Sequence, residues 1–108
     1  MFSNNRYHTR GFNSTIPVDT QRSLWLLIES LRYKNIEMDY LQIFNMKSVV
    51  RNGKSYQVIE HSQEVPEYKF ILGIECHNPV DEKVFIISTD DISVLGGEYG
   101  TAMLAYEY

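Results

Sequence analysis

His61 and Glu64 are the residues of this chain whose types could support acid–base catalysis. A general base is commonly a histidine oriented by a carboxylate, and both residues lie in the segment His61-Ser62-Gln63-Glu64-Val65-Pro66. Ser62 lacks the G-x-S-x-G context of a nucleophile elbow. A small hydrolase or transferase that uses His61 and Glu64 is therefore the alternative hypothesis. The structural interpretation is that His61 packs over Phe44.

Cys76 and His77 form a second combination of thiol and imidazole. Neighbouring side chains of a strand point to opposite faces, so a strand would separate this pair beyond hydrogen-bonding reach. In a strand, Cys76 shares its face with Ile74 and Leu72. We interpret Cys76 as a small hydrophobic residue.

Metal and cofactor motifs are missing from the sequence. The three histidines have neither H-x-H nor H-E-x-x-H spacing. Asp90, Asp91 and Glu98 do not match a calcium loop, and Asp90 can instead cap one helical turn ending at Gly96. The glycines of Gly96-Gly97-Glu98-Tyr99-Gly100 precede a predicted strand, whereas a phosphate cradle precedes a helix. We expect no metal and no cofactor.

Charge is distributed unequally along the chain. Residues 1–54 carry eight Lys and Arg against four Asp and Glu, whereas residues 55–108 carry two against ten. The acidic half disfavours nucleic acid as the main partner, because such binding depends on phosphate neutralisation. A nucleic-acid alternative would need the basic N-terminal arm and the hairpin tip on one surface: Arg6, His8, Arg10, Arg51 and Lys54.

Tyrosine is abundant, with eight residues among 108. Tyrosine suits interfaces because it combines a large apolar ring with a polar tip, although strands also favour it. We therefore expect a non-enzymatic protein-interaction or regulatory domain, with a protein partner or self-association. The expected binding residues are Glu60, His61, Glu64, Glu67 and Tyr68.

One amphipathic helix is predicted near the beginning of the chain. Leu24, Leu27, Ile28 and Leu31 recur at helical spacing. Pro17 suits the first helical turn, and the helix is expected to end near Lys34–Asn35. Before it, Arg6 to Phe12 predicts a short strand or arm, followed by a turn at Asn13-Ser14-Thr15.

Strands are predicted from Asp39 onwards. Asn52-Gly53 is typical of a type I′ hairpin turn, which would pair Val49 with Tyr56 and Phe44 with His61. A second hairpin is predicted between strands 67–77 and 82–89. The last predicted strand covers 100–107, and an unprotected edge there could pair with a second copy.

The resulting fold class is α+β: one helix packed on a five- to six-stranded, mainly antiparallel sheet, in the order β-α-β-β-β-β-β. In the second hairpin, Ile74 would oppose Phe85 and Leu72 would oppose Ile87. The expected core contains Trp25, Leu27, Leu31, Leu72, Ile74, Phe85 and Ile87.

Length and composition suggest a single domain spanning residues 1–108. Cys76 is the only cysteine, so no internal disulfide is expected. The sequence has no apolar run long enough to span a bilayer, and residues 1–10 lack a signal-peptide core. We expect a cytoplasmic protein without membrane association.

Five short strings of the sequence form a recognisable pattern: Arg6-Tyr7-His8-Thr9-Arg10-Gly11, Ile16-Pro17, Leu24-Trp25, Asp39-Tyr40-Leu41-Gln42-Ile43-Phe44 and His61-Ser62-Gln63-Glu64-Val65-Pro66-Glu67-Tyr68. Together they resemble the small Firmicute family known as staphylococcal domain of unknown function 960, over nearly the whole chain. The resemblance implies a small intracellular protein of a Gram-positive bacterium or its mobile elements. It transfers no catalytic role to any residue.

Overall fold

Six strands form one mixed sheet in the computed structural model, which describes residues 1–91 and 97–108. The elements in chain order are β1 (Asn5–His8), α1 (Arg10–Thr15), α2 (Val18–Tyr33), β2 (Leu41–Arg51), β3 (Lys54–Gln63), β4 (Tyr68–Glu75), β5 (Glu82–Asp90), β6 (Glu98–Leu104) and a 3₁₀ turn, Ala105–Glu107. The order across the sheet is β1-β6-β5-β2-β3-β4. The predicted helical turn from Asp90 to Gly96 falls largely on residues 92–96, outside the described residues.

The predicted fold class is confirmed in its main features. The sheet has six strands in the expected chain order, and β1 pairs with β6 in parallel while the other neighbours are antiparallel. The thinnest dimension of the molecule is 20 Å, which matches one sheet and one helical layer of roughly 10 Å each.

A second helix, α1, replaces the predicted end of the first strand and the turn after it. Thr9 terminates β1 because its Oγ1 accepts a hydrogen bond from the N–H of Phe12 at 3.2 Å and caps α1. Thr9 Oγ1 also donates to Glu107 Oε1 at 2.6 Å. This hydrogen bond, the strongest influence on that carboxyl, lowers the pKa of Glu107.

The predicted long helix is α2, and its apolar stripe is buried: Leu24, Leu27, Ile28 and Leu31. Pro17 occupies the N-cap rather than the first helical turn. After the helix, Asn35 has a φ of 56°, which allows Ile36 N–H to donate a hydrogen bond to Leu31 C=O at 2.9 Å. This arrangement is a Schellman motif, which satisfies carbonyls at the end of the helix.

The first hairpin has the predicted register. Asn52 and Gly53 both have positive φ, 53° and 77°, as a type I′ turn requires. Phe44 pairs with His61, and Val49 pairs with Tyr56.

The second predicted hairpin is wrong. β4 lies at the edge of the sheet beside β3, whereas β5 crosses the hairpin and pairs with β2 and β6. Buried Gln57 on β3 anchors the crossing loop, because it accepts from Val80 N–H at 2.8 Å and donates to Val80 C=O at 3.0 Å. Asp81 then accepts a hydrogen bond from Ser48 N–H on β2 at 2.7 Å.

Because β5 lies between β2 and β6, part of the predicted core is wrong. Val84 and Ile86 are completely buried beneath the helices, whereas Phe85 and Ile87 lie half-buried on the other face, opposite Ile43 and Leu41. Leu72 and Ile74 are partly buried against the core, and Trp25, Leu27 and Leu31 are buried as predicted. The last predicted strand ends at Leu104, so Tyr106 does not continue its buried face.

Alanine substitutions on the two faces of β5 should lower the free energy of unfolding by different amounts. Ile86→Ala should lower the free energy of unfolding by about 3 kcal/mol, because it leaves a cavity among fully buried neighbours. Phe85→Ala should lower it by about 1 kcal/mol, since the ring is only half-buried, with Tyr108 against it edge to face, and loses less buried area. Urea unfolding of both variants measures the difference, and an equal cost would contradict the assignment of faces.

Candidate functional site

The structure does not bring the proposed catalytic pair together. His61 is completely buried on the helix side of the sheet, whereas Glu64 is exposed in the loop after β3. Ser62 lies on the opposite face of β3 from His61, because neighbouring residues of a strand alternate. Within the described residues, no hydrogen bond joins the histidine to the carboxylate or the hydroxyl. The predicted packing of His61 on Phe44 is present, with ring centroids 4.5 Å apart.

His61 belongs to a buried polar network. Its Nε2 lies 2.6 Å from Gln42 Oε1, and the Gln42 amide donates to Gln63 Oε1 at 2.8 Å and to Asp39 C=O at 2.9 Å. Because the Gln42 oxygen can only accept, His61 must carry its proton on Nε2. Its Nδ1 then has a buried lone pair without a partner. Burial, followed by the nearby Lys34 ammonium, lowers the pKa of His61 to about 4.

The network has a structural role. Gln63 donates to the carbonyls of Glu37 and Pro66 at 2.8 and 2.9 Å, so it holds together the loops that precede β2 and follow β3. A neutral His61 completes these contacts without placing a charge in the core. The uncharged imidazole faces no solvent from which a substrate could approach.

The five predicted binding residues occupy different surfaces. Glu60 lies on the opposite face from His61 and pairs with Lys69 at 3.1 Å. Tyr68 faces the helix side, where its hydroxyl accepts from Lys34 Nζ at 2.8 Å. Glu64 and Glu67 are exposed in the loop between β3 and β4.

The basic residues of the nucleic-acid alternative are also separated. Arg6 and His8 lie on the helix side of β1. The guanidinium carbon of Arg6 is 4.6 Å from the centroid of the Trp25 ring, and His8 Nε2 accepts a hydrogen bond from Trp25 Nε1 at 3.0 Å. Arg51 and Lys54 form the last pair of the hairpin, three strands away. Arg51 lines a cavity on the face opposite α2.

Arg10 begins α1 and is exposed there. Cys76 is half-buried and its thiol lies 3.5 Å from Asn78 Oδ1, whereas His77 is exposed. Across residues 1–91 and 97–108, no three metal-ligating side chains of His, Cys, Asp or Glu lie close enough to hold an ion. In the same residues, no helix is both long enough and apolar enough to cross a bilayer.

The face of the sheet opposite α2, here called the open face, carries neighbouring apolar side chains that the described residues cover only in part. Its apolar patch contains Tyr7, Leu41, Ile43, Phe85, Ile87 and Met103, which are exposed or half-buried on adjacent strands. Tyr7 also meets Tyr99 edge to face, with centroids 5.6 Å apart.

A basic strip, Lys47, Arg51, Lys54 and Lys83, borders the apolar patch on the open face. Lys83 lies two residues before Phe85 on the same side of β5, with Nζ 5.6 Å from the ring. Arg51 lines a cavity of about 430 Å³ together with Val49, Tyr56 and Val58. Among the described residues, no ion pair is present for Arg51, Lys54 or Lys83. A partner that binds the open face can therefore bury the apolar patch and also form ion pairs with the basic strip.

Sequence reasoning missed this surface because it assigned Phe85 and Ile87 to the core. The unbroken apolar run Val84-Phe85-Ile86-Ile87 was the available signal. It indicated a strand with two apolar faces, but among the described residues one of those faces is covered only in part, where the ring of Tyr108 meets Phe85.

Comparisons with known proteins agree with the fold and add no activity. A family model described as Staphylococcal protein of unknown function (DUF960) matches residues 5–107. A solved structure described as the crystal structure of the protein of unknown function from Enterococcus faecalis has a TM-score of 0.67 and 24% identity. That match covers 96% of this chain and 90% of the other. No functionally curated protein matches significantly.

The buried His61 predicts a loss of stability in mild acid. Its pKa of about 4 lies below the ordinary value of 6.5, so the unfolded chain binds the proton first as the pH falls. The stabilisation of the folded protein by neutral His61 is complete above pH 6.5 and declines as the pH falls towards 4. Between pH 7 and pH 5 the free energy of unfolding should fall by about 2 kcal/mol from this residue.

Urea unfolding at both pH values measures this cost. The variant His61→Gln should show a pH dependence smaller by about 2 kcal/mol over that interval. His8 and His77 are retained in both proteins, so their contributions cancel in the comparison. An unchanged pH dependence in the variant would show that His61 is not held neutral.

Proposed function

The chain belongs to the family of Staphylococcal proteins of unknown function (DUF960), and from this premise we propose that it is a non-enzymatic protein-binding domain. Its open face binds an acidic, amphipathic segment of a partner protein. The observation that carries the proposal is the apolar patch beside the basic strip on a sheet face that α2 does not cover.

The apolar patch supplies the area for binding. Ile43 and Phe85 lie opposite each other on the central strands β2 and β5, and Met103 continues the row on β6. An extended apolar surface of this kind marks an interaction site more often than an isolated exposed side chain does. The rigid sheet also presents these side chains with little entropy loss on binding.

The basic strip defines the chemistry of the partner. Lys83 adjoins the patch, and Arg51 and Lys54 extend the positive charge to the hairpin tip. Carboxylates of a partner would neutralise these cations, while its apolar side chains cover Ile43 and Phe85. An acidic amphipathic segment combines both properties.

Nucleic acid fits the open face less well. A phosphate backbone requires a continuous basic track, but Glu60 on β3 lies beside the basic strip and Glu75 lies on the edge strand β4. The other end of the sheet carries Glu64 and Glu67 in the loop before β4 and Asp90 at the end of β5. These carboxylates would repel an extended strand of phosphates.

The cytoplasm of a Gram-positive bacterium is the setting of this proposal. The staphylococcal family description and the single cysteine support it. The exposed aromatic side chains then meet other cytoplasmic proteins rather than an extracellular surface.

Selection from a random peptide library displayed on phage tests the proposal with a defined probe. Peptides that bind the wild-type protein should be enriched in Asp and Glu interleaved with Leu, Ile, Phe or Trp. Their affinity should fall with added salt, because the partly exposed charge pairs are screened.

Two variants map the binding to the open face. Lys83→Glu and Ile43→Thr should each weaken a selected peptide by about tenfold, through charge repulsion and lost apolar contact respectively. The matched control is Val50→Thr in the same strand, because Val50 is 72% exposed and outside the patch. Equal loss in the control, or no enrichment of acidic peptides, would contradict the proposal. Salt-dependent binding of a labelled oligo-dT in place of peptides would favour nucleic acid.

A further inference from the structure

We propose that the outer edge of β4 pairs with β4 of a second copy of this chain. The two strands run antiparallel about a two-fold axis at Leu72, so that the sheet continues from one copy into the other. This interface uses the edge of the sheet and is independent of peptide binding on the open face.

The β4 edge has neither a proline nor a bulge to prevent strand pairing, and its charged residues are Lys69 and Glu75. Natural edge strands are commonly short, bulged or interrupted by proline. β4 has eight residues and contains no proline, and Ile71 is 62% exposed. The opposite edge, β1, has only four residues. Within the described residues, nothing pairs with the outer side of β4.

The backbone of β4 presents a regular row of hydrogen-bonding groups to solvent. Cys76 N–H donates to Ser55 C=O at 3.0 Å, so the residues of even number in this antiparallel pair face β3. The alternate residues therefore direct their N–H and C=O groups outwards: Lys69, Ile71, Gly73 and Glu75. Four such residues are sufficient for a ladder with a second strand.

Charge complementarity selects both the partner and the register. With Leu72 on the two-fold axis, Lys69, which pairs with Glu60 of its own chain at 3.1 Å, also lies opposite Glu75 of the second copy, and the symmetric pair repeats this contact. Ile71 lies opposite Gly73, which leaves room for its side chain. On the helix side, Phe70 lies opposite Ile74. The sequence Tyr68–Glu75 is therefore complementary to itself.

Neighbouring registers lose this complementarity. A shift of the axis to Ile71 places Lys69 opposite Gly73, and a shift to Gly73 places Glu75 opposite Ile71. Both alternatives remove both ion pairs. The register at Leu72 also brings Glu67 towards the end of the second copy where Lys54 begins β3. An unrelated strand would not be expected to share this symmetry.

Light scattering coupled to size exclusion, over a range of concentrations, tests the pairing. The wild-type protein should convert from monomer to dimer as its concentration rises. Lys69→Glu and Glu75→Lys should each weaken the dimer by about tenfold or more, because each creates two like-charge pairs. The double variant K69E/E75K should restore the dimer to near wild-type affinity.

Lys47→Glu is the matched control, because it makes the same charge change on the open face two strands away from the edge. It should leave the dimer unchanged. A wild-type protein that stays monomeric at high micromolar concentration would overturn the proposal. Failure of the double variant to recover, or equal loss in the control, would also overturn it.

Amide hydrogen exchange provides a second readout without substitution. The outward amides of Ile71 and Gly73 should exchange more slowly at high than at low protein concentration, while the amides of β1 stay unchanged. A dimer without added protection at β4 would exclude this edge and assign the self-interface to another surface. Loss of peptide binding with an intact dimer would affect only the proposed docking function.

Discussion

The two-residue turn Asn52-Gly53 determines which side chains of the sheet meet the helices. Its positive φ angles join β2 and β3 in one register, and a shift of one residue would exchange the two faces of the hairpin. In the observed register, Phe44 and His61 stack on the helix side, and Val49 and Tyr56 face outwards. The neighbouring strands continue this alternation, so the core and the uncovered surface both follow from the same turn.

In the part of the chain that the structure describes, the helices cover one face of the sheet because they are few. Six strands span roughly 25 Å, and one helix is about 10 Å wide. The helix α2 and the short helix α1 are therefore needed to cover one face of the sheet, and neither can form a layer on the other face. Trp25 extends the coverage sideways, because its ring lies over Gly100 on β6, where a Cβ would approach within 3.1 Å. The described elements therefore concentrate on one side. Ile43 and Phe85 on the other side form part of a surface rather than a second core.

The local signals in the sequence predicted the local structure, whereas the order of the strands depended on distant side chains. The spacing of Leu24, Leu27, Ile28 and Leu31 predicted the buried stripe of α2, and Asn52-Gly53 predicted the hairpin register. The position of β5 depends on the hydrogen bonds of Gln57 to Val80, which join residues 23 apart in the chain. No local pattern encodes that contact. The same limitation applied to the site, because Phe85 could be placed on the open face only once β5 was known to lie beside β2.

The parallel pairing of β1 with β6 has a consequence for synthesis on the ribosome. Thr9 and Glu107, which join α1 to the 3₁₀ turn after β6, are 98 residues apart in the chain. At a typical elongation rate, β1 waits on the order of 5–20 s before its partner strand has been translated. The hairpin of β2 and β3 can form during that interval, because its contacts are local. The nascent chain thus acquires its central strands first, and the aromatic residues of β1 stay unpaired until translation is nearly complete.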